Sequence, residues 1–490
     1  MRRRKTPGSH LEGMEGRLLL SAYALSQVGY VGGNSTGMEP QSTLVADAEG
    51  NLYGTATLGG AHGAGTVFEV VQNSGALTTL ASFNGANGKA PFAGVVLDVS
   101  GNLFGTTTAG GTYGDGNVFE IARGSNAITT VAEFNGNNGA LAYGGVTLDG
   151  AGNLFGATSG GASGNGTLFE VGKGSSAITD LHYFYGPDGA NPNGPLTFDA
   201  AGNLYGTTRN GGVNGQGTVF EMASGSGAIT TLGSFNGYNG SSPLGSITVD
   251  ASGNVFGTTS QGGALYGIAS GGYGSVFEIA NGSNTVTTLA SFTGTNGSYP
   301  SAGPILDGAG DLYGTTQTGG ANGRGTLFEI GAGSFTITTL ATFNGTNGGG
   351  PAGALTPDAA GNFFGTSESG GVNNQGTVFE LAKGSSVVTD LASFLPPGGA
   401  NPFAGVTLDA TGNLYGTTIT GGASNLGTVF EIANGSNAMT TLASLNQASN
   451  WLSPPPALTL DAAGNLFGTT ATGGYAKGDG TVFEIPMGSS

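Results

Sequence analysis

The 490 residues include no cysteine, so a disulfide framework and a thiolate metal site are both excluded. Histidine is almost as scarce: His10, His62 and His182 are all there is, and no two stand at the spacing of an HExxH zinc helix. No GxSxG nucleophile elbow and no P-loop occurs, and no segment shows helical periodicity with caps. The G-x-G strings sit between strand-like runs, so they are not dinucleotide fingerprints. Catalytic, cofactor-binding and metal-ligating residues are therefore expected to be none.

Charge is thin and lopsided, with 9% charged residues, 30 acidic and 12 basic. Five of the basic and two of the acidic residues precede Leu18, which leaves 7 against 28, a net of −21, for the remainder. Such a surface repels nucleic acid and anionic lipid. No apolar run approaches the roughly 18–20 residues of a membrane span, so a soluble chain, read as a monomer, is expected.

What the chain has in abundance is glycine, at 100 positions, without the every-third spacing of collagen. The glycines mark turns in a repeat. The motif GN(L/V/F)(F/Y)G, written GDLYG once, begins at Gly50, Gly101, Gly152, Gly202, Gly253, Gly310, Gly361, Gly412 and Gly464. The spacings are 51, 51, 50, 51, 57, 51, 51 and 52 residues. Each unit holds four short runs rich in β-branched and aromatic residues, as in GVVLD, NLFGTTT, NVFEIA and AITTVAEF of the second copy. Four strands per unit of about 50 residues is the signature of a propeller blade, with a parallel β-helix as the second reading.

The expected fold is thus all-β: a β-propeller of about nine four-stranded blades over residues 22–490, preceded by an export-like segment at 1–21. The last copy stops after its third strand, "TVFEIPMGSS". An unmatched stretch, "SAYALSQVGY", precedes the first copy, and its Leu25–Val28 can be laid over LASF. An N-terminal strand that completes the last blade would close the ring and leave no free edge.

Three aromatic columns are expected to form the core: the Tyr/Phe of the GN motif, the Phe of VFE and the Phe ending the fourth strand. They hold 25 of the 41 Phe and Tyr residues, with Leu445 replacing Phe in the eighth copy. Two carboxylate columns accompany them. The aspartates of D-x-x-G-N, Asp47 through Asp461, read as turn residues accepting backbone N–H bonds. A calcium loop needs six to eight oxygens, and one acidic residue per turn is too few. The VFE glutamates, Glu69 through Glu484, far outnumber the basic residues. Burying one unpaired costs several kcal/mol, so nine would exceed a domain's roughly 5–15 kcal/mol of stability. Hydrogen bonding to the Thr-rich neighbouring strand is the first choice for them, and a ring of ions the last.

Departures from the repeat are where binding residues are sought. The fifth copy carries six extra residues in "QGGALYGIASGGYGSVFE", bringing Leu265, Tyr266 and Tyr273 into a longer loop. Arg209 and Arg324 occupy the corresponding loops of the fourth and sixth copies and are candidate anion contacts in an acidic protein. A neutral insertion is the plainer alternative.

The ninefold succession GN(L)(Y/F)GTT, GG, GTVFE resembles the GloVer tandem repeat of choice-of-anchor surface proteins in planctomycetes, verrucomicrobia and cyanobacteria, over roughly residues 41–485. That resemblance implies an exported, cell-surface or extracellular protein of uncharacterised activity. "LEGMEGRLLLSA" at 11–22 resembles the LEPR-XLL segment of planctomycete surface proteins, with Gly13 in place of the usual proline. The chain ends in "EIPMGSS" without the apolar helix and basic tail of the family's sorting signal, so anchoring of that kind is not expected. Three functions are weighed. The first is a non-catalytic propeller binding glycan or protein, or serving a structural role. The second is a propeller enzyme acting on polysaccharide, by hydrolysis or elimination. The third is a calcium-dependent adhesin.

Overall fold

The computed structural model describes residues 26–29 and 44–486, apart from 48, 50, 72–75, 193, 245, 266, 268–270, 352, 373, 395–399, 403, 423–425, 437, 446–457, 462–463 and 471–480. The export-like segment and Tyr266 lie outside the described residues. Every described element is a strand, and the strands form nine four-stranded antiparallel sheets arranged as a nine-bladed propeller.

Blade 2 shows the plan. A short inner strand, Val96–Leu97, is followed by Leu103–Thr106, Asn117–Ile121 and Thr129–Glu133, each paired with the one before it. We call the links in order the inner turn, the middle loop and the outer turn, with a crossing loop leading to the next blade. Antiparallel succession places inner and outer turns on one face of the disc, the turn face. Middle and crossing loops lie on the other, the loop face. The fourth strand bulges: Ala132 lies opposite Val118 but Thr130 lies opposite Phe119, so Val131 is the extra residue. The same irregularity recurs in seven other blades and adds twist.

The core lies in the seams between blades. One cluster joins Val67, Ala81 and Phe83 of blade 1 to Leu103, Phe119 and Ile121 of blade 2, and the pattern repeats around the ring. In seven blades the fourth strand ends in a Phe that meets the VFE Phe of the following blade, edge to face in all but the tilted Phe184–Phe220 pair, as Phe83 with Phe119 at 5.0 Å and Phe343 with Phe379 at 5.0 Å. Such a pair adds about 0.5–1.5 kcal/mol to the burial of its rings. Both Phe columns are fully buried, and Leu445 fills the place of the missing Phe beside Phe483. The glycine of the GN(L)(F)G motif follows from this packing: a Cβ on Gly105 would stand 2.7 Å from Phe119 Cζ.

The ring closes as expected, through the strand Ser26–Gly29, which completes the last blade beside Thr481–Ile485. Its register differs from the sequence overlay by three residues. Gly29 faces Val482 as Ala81 faces Val67, and Ser26 faces Glu484 as Thr78 faces Glu69. Backbone pairing with the third strand, not likeness to LASF, sets the position. The closing seam packs Phe467 and Val482 on Leu52, Ala56 and Phe68, and the Thr459 hydroxyl donates to the Leu44 carbonyl at 3.5 Å.

Candidate functional site

On the turn face, each inner turn is a hydrogen-bonded lock. In blade 1 the Asn51 N–H donates to Asp47 Oδ1 at 2.8 Å and the Asn51 amide to Asp47 Oδ2 at 2.9 Å. Seven further turns repeat the Asp–Asn pair, from Asp98 and Asn102 to Asp461 and Asn465. The Asn oxygen then accepts the N–H of the second residue beyond the third strand, as with Arg123 on Asn102 at 3.0 Å. This is the turn role expected of the aspartates. Burial alone would raise Asp199 and Asp409, yet the Asn203 and Asn413 donors hold both below the usual carboxylate range.

The VFE glutamates line the seams just above these turns. In four blades a donor to them is a tyrosine that the sequence assigns to the core alone. Tyr53 donates to Asp47 at 2.9 Å and Glu69 at 3.2 Å, and Tyr205 and Tyr415 bridge the equivalent pairs. The Thr78 hydroxyl of the neighbouring strand, the kind of donor expected, also donates to Glu69, at 3.5 Å. Burial pushes up Glu170, Glu431 and Glu484, with the neighbouring turn aspartates adding to it; the Tyr415 hydroxyl works the other way on Glu431. Among the described residues no three acidic or histidine side chains gather as a metal site.

The loop face is built differently. Crossing loops open with a reciprocal clamp in which Asn84 N–H donates to Asn87 Oδ1 at 2.7 Å and Asn87 N–H to Asn84 Oδ1 at 2.9 Å. Next comes a residue in the left-handed region although it is not glycine: Ala90, Leu141, Asn191, Ser242, Tyr299 and Asn401, with φ of 52–62°. Proline follows in all but the second. Such a backbone is unfavourable by about 1–2 kcal/mol per residue and persists only where its surroundings hold it. Here the residue's N–H is tied to the middle loop, as in Ala90 to the Ala64 carbonyl at 2.9 Å and Tyr299 to the Tyr273 carbonyl at 3.0 Å. The chain then turns toward the central channel, and the side chains two residues on, Phe92 and Tyr143, are left 43% and 42% exposed. Their rings meet edge to face at 5.4 Å across two crossing loops.

Exposed aromatics are concentrated on this face. Phe92, Tyr113, Tyr143, Tyr185, Tyr238 and Tyr299 lie on its loops, against Phe335 alone on the turn face among the described residues. The residues singled out from the sequence are here too. Arg209, Leu265, Tyr273 and Arg324 sit on the middle loops of three consecutive blades. Leu265 and both arginines are exposed, while Tyr273 is half-buried, its ring 3.1 Å from where a Cβ on Gly294 would stand. Arg324 holds the same station in blade 6, its guanidinium over Gly345. Sequence reasoning passed over Phe92 and Tyr143 because it looked for changes in loop length; these two differ in residue type at constant length.

Ninefold repetition, seam packing and loop-borne side chains together define a repeat propeller. The chain belongs to the Gloeobacter/Verrucomicrobia repeat family, whose profile matches residues 17–159, 111–268 and 261–483. No curated protein matches it. Among solved structures it is similar to a puromycin-hydrolyzing peptidase of Mycobacterium tuberculosis, at 10% identity and a TM-score of 0.41, covering 79% of this chain and 62% of that one. It is also similar to the extracellular domain of a putative one component system from B. thetaiotaomicron, at 12% identity and a TM-score of 0.36, covering 93% and 58%. The chain thus spans about three fifths of each of those proteins. No helix among the described residues is long and apolar enough to cross a membrane.

Proposed function

We propose that the protein is a non-catalytic, exported binding module whose loop face takes a neutral glycan. The observation that carries this reading is the one-sided display of exposed aromatics, with the Phe92–Tyr143 pair at its inner edge. Rigid loops that hold apolar rings out to water at constant backbone strain favour a ligand with flat apolar faces and hydroxyl rims. The net charge of −18 disfavours polyanions. For the turn aspartates, the amide donors already on both oxygens support a structural role over calcium binding.

The test is to incubate the purified chain with a panel of polysaccharides and score retention and release of new sugar ends in the same samples. Retention on neutral polymers without release is expected, with Phe92→Ala or Tyr143→Ala lowering it roughly 5–10-fold. Release that disappears on replacing one or two non-repeat residues would overturn the non-catalytic reading. Retention unchanged in both variants would remove the loop face as the site.

A further inference from the structure

The seam between blades 6 and 7 opens on the turn face into a cavity of about 910 Å³, bounded by Asp307, Asp311, Tyr313 and Glu329 on one side and Phe363 and Lys383 on the other. This is within the roughly 300–1,000 Å³ range of small-molecule sites. The equivalent space between blades 1 and 2 is about 100 Å³. There Arg123 reaches across the seam to Glu49 at 2.7 Å. In blade 6 the position of Glu49 is Ala309, and Lys383 lies back over Gly361 with no acidic partner among the described residues, so no ion pair bridges the gap.

The walls also depart from the repeat. Asp311 stands where the other eight turns have asparagine. Its Oδ1 accepts the Ala332 N–H at 2.8 Å, as the asparagine oxygen does elsewhere, so a second carboxylate oxygen takes the place of the amide that would donate to Asp307 Oδ2. Asp307 Oδ1 accepts from Asp311 N–H at 2.9 Å and Ala309 N–H at 2.9 Å, while no described donor reaches its Oδ2. The Tyr313 hydroxyl is directed to Glu329 at 3.0 Å. Phe363, where other blades carry Leu or Val, lies with its ring 4.4 Å from that of Tyr313. Asp358, also on the cavity wall, is satisfied within its own turn.

We propose that this cavity binds a small organic cation, a primary ammonium on an apolar or aromatic body. The ammonium supplies the donors missing between Asp307 and Asp311, and the body lies along the Tyr313–Phe363 wall, where ring faces attract positive charge. A bare metal ion fits less well, because the three carboxylates of blade 6 do not converge as ligands. The site is on the opposite face from the aromatic loops and is independent of them.

Both informative substitutions restore the repeat's own residue, Asp311→Asn and Phe363→Leu. Benzylamine, benzyl alcohol and calcium chloride would be titrated into the full chain, with binding followed by saturation-transfer NMR and by thermal shift. Benzylamine is expected to bind, benzyl alcohol not to, and Asp311→Asn to weaken benzylamine about tenfold or more through loss of a charged acceptor. Phe363→Leu should weaken it less. The proposal is overturned by equal binding of the alcohol, by undiminished binding to Asp311→Asn, by calcium displacing the amine at stoichiometric amounts, or by no benzylamine signal at millimolar concentration.

Discussion

The seam between blades 1 and 2 and the seam between blades 6 and 7 have the same upper half and different lower halves. Both stack a fourth-strand Phe on the next blade's VFE Phe at 5.0 Å. Toward the turn face, the first seam is bridged by Arg123 and Glu49 and carries an Asp–Asn lock. The other has no ion pair, two aspartates in one turn and a cavity some nine times larger. The difference separates what the propeller requires from what it tolerates. Ring packing recurs at seven seams and purely apolar packing takes its place at the other two, whereas the polar edge can be altered at one seam without altering the blade count or the strand pairing.

The largest effect should fall on the shared half. Phe83→Ala and Phe343→Ala each delete a fully buried ring and are expected to cost about 3–5 kcal/mol. Near-equal losses in urea unfolding would show that the two seams have equivalent cores, and a gap above roughly 1.5 kcal/mol would break the comparison. A reciprocal exchange comes next. Asn51→Asp should destabilise by about 1 kcal/mol, removing an amide donor and setting like charges together, and Asp311→Asn should stabilise by a similar amount. If both changes act in the same direction, the Asp–Asn lock does not explain the difference.

The pH dependence should be weaker and can be worked out in sign. Glu170, Glu431 and Glu484 are raised in the folded protein, so the folded state holds extra protons, and the stability this gives is lost as pH rises through their shifted range. Asp199 and Asp409 are lowered, and their contribution is lost as pH falls below the ordinary aspartate range. The melting temperature should therefore peak on the acid side of neutrality, and Glu431→Gln should narrow the difference between about pH 5 and pH 7. The smallest effect belongs to Arg123→Ala. Both members of its pair are more than half exposed, and a loss of at most about 1 kcal/mol, vanishing at high salt, is expected from denaturation at two ionic strengths.

The blade count, the four strands per blade, the aspartate turns and the closing strand were legible because nine copies average out local ambiguity. Position by position, less was visible. The closing register was missed because Leu25–Val28 looks like LASF in composition, while pairing to Val482 and Glu484 is a property of the backbone. The role of Tyr53, Tyr205 and Tyr415 was hidden because Phe fills the same place in five other blades, so the column reads as apolar packing. Asp311 was in plain sight as GDLYG, but its meaning depends on knowing that the asparagine it replaces donates to the turn aspartate. The left-handed residues of the crossing loops carry little sequence signal, since Ala, Ser and Tyr before proline normally extend and only the two asparagines, Asn191 and Asn401, favour that region by type.

The strand Ser26–Gly29 also sets an order of events. It is made first, yet its partner Thr481–Ile485 emerges last, more than 450 residues later. Each blade can form as it is synthesised, but the circle stays open until the ninth blade is available. A chain threaded outward through a narrow pore would travel as an unlatched arc and snap shut only on the far side. Until then Thr481–Ile485 has an unpaired edge and the seam face of the first blade is uncovered, so a neighbouring copy's Ser26–Gly29 strand competes with the chain's own for the last blade.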